Sequence, residues 1–150
     1  MVLAVPYPAL ATIAANYGPQ LAGKVVVDIT NPLDFQTFDA LTVPAGSSAT
    51  AELAELLPES KVLKAFNTTF AATLATGVTG SLPTTVLVAG DDAEAKQTLI
   101  GVVKAGGLDA LDVGEAGTEG HGRHEAQVRC RSQHRRGRQA IHRDAGADKV

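Results

Sequence analysis

The sequence has no tryptophan, one cysteine, one methionine and only 4% aromatic residues. The lone Cys130 excludes an internal disulfide framework and fits a reducing, cytoplasmic compartment. No run of about 18 apolar residues exists, so nothing is long enough to span a membrane. The first 23 residues carry no charged side chain, but they lack the positive start of a secretory signal, and Pro6 and Pro8 interrupt the apolar stretch. The 15 glycines follow no period of three, which excludes collagen. Arginine and histidine are absent before Gly114.

What is present suits one globular domain. The chain has 150 residues, of which 45% are hydrophobic and 19% charged. That is ample apolar surface for a core and too little length for a second full domain. The average conceals a break. Residues 1–113 contain five basic residues, all lysine, against eleven acids, whereas residues 115–150 contain eight basic residues against five acids. Every arginine, every histidine and the cysteine lie in that last segment. It has no apolar periodicity, and Ile141 is its one large aliphatic residue besides valine. It therefore reads as a disordered basic tail, 115–150, behind a folded unit, 1–114.

The folded unit alternates strand and helix patterns. Apolar runs at Val2-Leu3-Ala4-Val5, Lys24-Val25-Val26-Val27-Asp28-Ile29, Lys61-Val62-Leu63-Lys64-Ala65-Phe66, Thr84-Thr85-Val86-Leu87-Val88-Ala89 and residues 108–113 read as strands. Leu10, Ile13, Ala14 and Tyr17 form a helical stripe, which Gly18-Pro19 is expected to stop. Ala49, Leu53, Leu56 and Leu57 form a second stripe, with Ser47-Ser48 as its N-cap signal. Residues 69–76 predict a short helix ended by Gly77. Ala95, Leu99, Val102 and Val103 form a last stripe, begun by Asp91 as cap with Glu94 three places on. This order predicts an α/β fold with a doubly wound, mostly parallel sheet. Residues 30–47 form a connection long enough to carry function.

Several apparent signals fail on their context. Gly18-Pro19-Gln20-Leu21-Ala22-Gly23-Lys24-Val25 is near a phosphate-binding P-loop, but Val25 stands where Ser or Thr must bind magnesium, and the order is helix then strand. Ser47-Ser48 has no histidine before His121 to serve as a base. Asp91-Asp92 reads as a helix cap rather than a metal site. His121, His124, Cys130 and His134 match no common zinc spacing, and the flanking sequence offers no apolar shell. The arginine cluster reads as solvated, with nucleic acid an unlikely partner.

Three loops follow three strands: Val5-Pro6-Tyr7-Pro8, Asp28-Ile29-Thr30-Asn31-Pro32 and Ala65-Phe66-Asn67-Thr68. In an open parallel sheet, ligands bind at the carboxyl ends of the strands. Asn31 and Asn67 each offer a donor and an acceptor, suited to a carboxamide or a sugar.

With Val86-Leu87-Val88-Ala89-Gly90-Asp91-Asp92 added, these motifs resemble, in order, those of the coenzyme F420-dependent NADP oxidoreductases, over residues 2–114. The resemblance implies a partial NADP-binding Rossmann-like domain and hydride transfer between NADP(H) and the deazaflavin F420. Val5, Pro6, Tyr7, Asn31, Pro32, Ala65, Asn67 and Thr68 would then face the nicotinamide. No side chain is named as catalytic, because the reacting carbons of the two cofactors meet directly. Small-molecule cofactors are the implied partners, with no membrane, and intact relatives are expected to be homo-oligomers.

Two departures qualify this picture. No G-x-G-x-x-G turn occurs anywhere in the chain, and the strand at Val2 corresponds to a later strand of the family. The tail also replaces the helical segment by which relatives complete the deazaflavin site. So abrupt a change of composition is what an out-of-frame reading of a GC-rich gene produces, and the chain is expected to be incomplete and inactive alone. NADPH should bind weakly, because each lost charge-assisted hydrogen bond to phosphate forfeits about 1.5–3 kcal/mol. Two other readings stand beside the reductase: a non-catalytic α/β binding module with a tail that contacts nucleic acid, and an NADPH-dependent reductase of another acceptor.

Overall fold

The computed structural model describes residues 1–33, 43 and 47–116. The elements run β1 (Val2–Leu3), α1 (Ala9–Leu21), β2 (Val25–Asp28), α2 (Ala49–Leu56), β3 (Lys61–Ala65), α3 (Ala71–Thr76), β4 (Val78–Thr79), β5 (Leu82–Pro83), β6 (Thr85–Gly90), α4 (Ala93–Ala105) and β7 (Asp109–Asp112). A five-stranded sheet has the order β1-β2-β3-β6-β7, and β4 and β5 form a separate hairpin. The pairs β1–β2, β2–β3 and β6–β7 are parallel, as expected for an α/β domain.

One pairing departs from that pattern. β6 runs antiparallel to β3, with Leu63 opposite Gly90 and Ala65 opposite Val88. The reason lies in the connection. A parallel crossover needs a helix that packs across a sheet face, yet α3 buries none of its residues. The chain therefore returns from the same end of the sheet at which β3 leaves it. The β4–β5 hairpin in this connection was not expected from the sequence. Its two-residue turn is Gly80-Ser81, a glycine-serine signal of the hairpin type, and Gly80 takes φ +65°, which favours glycine.

Alternation along the strands divides the core between two faces. Val26 and Val62 pack with Leu3, Leu10, Ala14, Leu21, Ala49, Leu53 and Leu57 beneath α1 and α2. Val27, Leu63, Ala65, Val86 and Val88 pack with Ala95, Leu99, Ile100 and Val103 of α4 on the other face. Burial on both faces explains why the central strands read as continuous apolar runs. β1 lies at the sheet edge, and among the described residues its outer side has no partner strand.

Several boundaries move. α1 does not stop at Gly18-Pro19 but continues to Leu21, which is buried at 3% exposure. Pro19 removes one helix donor near the end of α1, and burial of Leu21, worth about 1.5–3 kcal/mol, draws the last turn onto the core. Tyr17, Leu56 and Val102, each assigned to an apolar stripe, are exposed, and Ile100 takes the place of Val102 in the core. The helix caps behave almost as expected. Ser48 Oγ accepts from the Ala51 amide at 3.1 Å, and at α4 the cap is Asp92, not Asp91, accepting from the Ala95 amide at 2.7 Å.

Candidate functional site

The carboxyl ends of β1, β2 and β3 lie side by side, because these three strands are parallel neighbours. The connection through α3 and the hairpin adjoins the same edge. The register places Asp28 of β2 directly beside Lys64 of β3. Neighbours in register point to the same face, so two opposite charges meet beneath the edge. Both are buried, with side-chain exposures of 0% for Asp28 and 8% for Lys64.

The charges are well partnered. Asp28 Oδ2 accepts from Lys64 Nζ at 3.0 Å and from Thr50 Oγ1, in the first turn of α2, at 2.8 Å. Asp28 Oδ1 accepts from the Thr30 amide at 2.8 Å. Lys64 Nζ also donates to the Thr30 carbonyl. One side chain of β3 thus holds the backbone of the loop that follows β2.

Above this network the two candidate asparagines meet. Asn31 Nδ2 donates to the Asn67 carbonyl at 3.1 Å, and Asn67 Nδ2 donates to Asn31 Oδ1 at 3.4 Å. Among the described residues these bonds leave one N–H on each side chain, one lone pair of Asn31 Oδ1 and both lone pairs of Asn67 Oδ1 for a further group. Between Ala65 and Asn67 the chain turns sharply at Phe66, whose φ of +63° is left-handed in a residue with a Cβ. Such backbone costs of order 1–3 kcal/mol and concentrates at functional sites. Among the described residues, two buried hydroxyls at this edge, Thr30 Oγ1 and Thr69 Oγ1, have no hydrogen-bond partner. Unsatisfied buried polar atoms are uncommon in native proteins, and both lie within three residues of an asparagine of the pair.

The other residues named from the sequence divide. Pro6 and Asn31 are exposed, and Val5, Tyr7, Pro32, Asn67 and Thr68 are partly buried. Ala65 is wholly buried on the α4 side, so its side chain belongs to the core. The Tyr7 hydroxyl donates to Glu52 Oε2 and ties the loop after β1 to α2. That bond to a carboxylate, with partial burial and the nearby negative charge, pushes the Tyr7 phenol up to about 12 from an ordinary 10.0. Because the folded value is raised, the stabilisation is fully present below about pH 10 and is lost as pH rises through about 12. Tyr7→Phe should therefore flatten the alkaline limb of a stability profile measured between those values.

Sequence reasoning did not name Asp28, Thr30, Thr50 and Lys64 as site residues. Its available signal was an acid, Asp28, inside one apolar strand run and a lysine, Lys64, inside the next. At the far end of the sheet, Asp92 caps α4 and pairs with Lys61 at 3.3 Å, and Asp91 Oδ1 accepts from the Ala116 amide at 3.0 Å. Asp92 thus takes the capping role, and Asp91 holds the backbone at Ala116. His121, His124, Cys130, His134 and the arginines lie outside the described residues. Among the described residues no helix is long and apolar enough to cross a membrane.

No protein-family model matches the chain. It is 35% identical over 108 residues to metalloreductase STEAP3 of Rattus norvegicus, covering 72% of this chain and 20% of that protein. Among solved structures, a hypothetical protein from Sinorhizobium meliloti is similar with a TM-score of 0.69 and 32% identity, over 77% of this chain and 56% of that one. A protein from Arthrobacter sp. FB24, provisionally named an F420-dependent NADP reductase, gives a TM-score of 0.66 and 33% identity, over 77% and 54%. The chain therefore spans about a fifth of the curated relative and a little over half of each solved one. The mostly parallel α/β fold is the one these Rossmann-like neighbours share, and the resemblance read from the four motifs is borne out.

Proposed function

We propose that this chain, a relative of the F420-dependent NADP reductases, forms the nicotinamide-facing edge of an NADP-dependent oxidoreductase. The observation that carries the reading is the meeting of Asn31 and Asn67 at the carboxyl ends of parallel strands, beside the unsatisfied hydroxyls of Thr30 and Thr69. Paired donors and acceptors on a half-apolar edge suit a carboxamide and a ribose hydroxyl. Val5, Pro6 and Pro32 supply the apolar contacts. The nicotinamide would bring the hydride-bearing carbon, and the protein's part is to orient it and to keep water from one side of the ring. The deazaflavin F420 is the acceptor we assign, on the strength of the Arthrobacter neighbour's name.

The same edge suits the diphosphate poorly. Its one described cation is Lys64, already engaged by Asp28 and the Thr30 carbonyl. Affinity of this chain for NADPH is therefore expected to be weak, roughly a thousandfold below that of a site with a complete phosphate turn, since three lost charge-assisted bonds exceed about 4 kcal/mol. The single cysteine suits the reducing, cytoplasmic setting we assign.

Amide hydrogen exchange with millimolar NADPH tests the reading. Protection is expected at residues 29–33 and 66–69 and not at the far edge, around residues 90–92 and 112–114. Protection at the far edge alone, or at neither, overturns it.

A further inference from the structure

The Lys64–Asp28 pair lies under the candidate site, touches no solvent-facing group of it, and is the most deeply buried charge pair among the described residues. Burying two charges is a poor way to gain stability, because the desolvation penalty rivals the attraction, and an apolar pair of similar volume often serves as well. What the pair does is shown by its other contacts. Asp28 Oδ1 fixes the Thr30 amide and Lys64 Nζ fixes the Thr30 carbonyl. Both peptide groups of Thr30 are therefore pinned, and the next residue is Asn31. The backbone of Lys64 leads through Ala65 and the strained Phe66 to Asn67. Lys64 thus reaches one asparagine through its chain and the other through its side chain.

We propose that the buried Lys64–Asp28 pair positions the site by setting the approach of Asn31 to Asn67. The pair contacts neither cofactor nor substrate. It acts by holding two loops at one spacing, so that the groups they leave open address one ligand. This rests on the reading of that edge as the cofactor site, but its test needs no cofactor.

The test is amide exchange of the whole chain without ligand, comparing wild type with the double variant Lys64→Met/Asp28→Asn and with Thr50→Val. The double variant leaves no unpaired charge but removes the ammonium donor to Thr30. Exchange at residues 30–33 and 67–69 is expected to quicken by about tenfold or more, while β6 and α4 keep their protection. Thr50→Val removes one bond to Asp28 and keeps the Lys64–Thr30 contact, so it is expected to leave the two loops as slow as in wild type. Loops unchanged in the double variant overturn the proposal, as does Thr50→Val loosening them equally, which would make the network a general stabiliser. Should the double variant lose protection throughout, it is read again in a stabilising osmolyte such as sucrose, with the same two outcomes, since exclusion of the osmolyte from the surface favours the folded state without replacing the ammonium donor to Thr30. Loosened loops together with no NADPH protection would leave the positioning role standing and remove the cofactor reading. The converse result would remove the positioning role alone.

Discussion

Lys64→Met alone should destabilise the protein by about 3–5 kcal/mol, because it strands the Asp28 carboxylate inside the fold without its counter-charge. Asp28 has no exposure to water, and the register with β3 holds it in place. Thr50 and the Thr30 amide still donate to it, but neither carries a charge. A loss of that size is a large share of the about 5–15 kcal/mol that holds a typical domain together. Replacing both partners, as in Lys64→Met/Asp28→Asn, should recover most of it, since the penalty belongs to the unpaired charge more than to the missing attraction. Urea midpoints of the two single variants and the double give the coupling directly. A single-variant loss under about 1 kcal/mol, or a double variant no better than Lys64→Met, would show that the pair is not closed in the way the structure describes.

Gly90→Val should be nearly as damaging, through shape instead of charge. A Cβ at Gly90 would stand 2.3 Å from Leu63 Cδ2 and 3.2 Å from the Val62 carbonyl oxygen. A long surface side chain could move aside, but Leu63 is completely buried between β6 and α4, and the carbonyl is part of β3. Overpacking of this kind usually costs about 1–3 kcal/mol, and the two further methyls of valine place this site at the upper end or beyond. Gly90→Ala, with the same Cβ and no more, should cost less, and Leu63→Ala should partly rescue Gly90→Val by opening room. Denaturation of Gly90→Val, Gly90→Ala, Leu63→Ala and the Leu63→Ala/Gly90→Val double variant measures this. Independent losses that simply add would mean that the two residues do not touch.

These two sites also divide what could be read from the chain and what could not. The apolar runs around Val26, Leu63 and Val88 announced central strands, because burial on both faces leaves no room for polar alternation. The stripes of Leu10 and Ala14, of Ala49 and Leu53, and of Ala95 and Leu99 announced the helices that cover them. Ser48 was legible as a cap because a hydroxyl before an apolar stripe has a local use, and local uses leave local signals. Asn31 and Asn67 were legible as candidates for the same reason that their strands were: each follows a buried parallel strand, where a ligand edge forms.

The rest depended on distance through space. Pro19 is a helix stop by local rules, yet α1 runs past it because Leu21 has a core to enter. That Asp28 and Lys64 form one network could not be read from either run, since 36 residues separate them and only the β2–β3 register sets them side by side. The reversal at β6 was equally hidden. It follows from α3, six residues with none fully buried, being too slight to carry a crossover, and it alone sets Gly90 against Leu63. By itself the sequence determined the main strands, the helices and the two-faced core, because periodicity and capping act within a few residues. The tertiary structure decided which charges pair, which glycine cannot be replaced and how closely the two asparagines approach, because those depend on register between strands far apart in the chain.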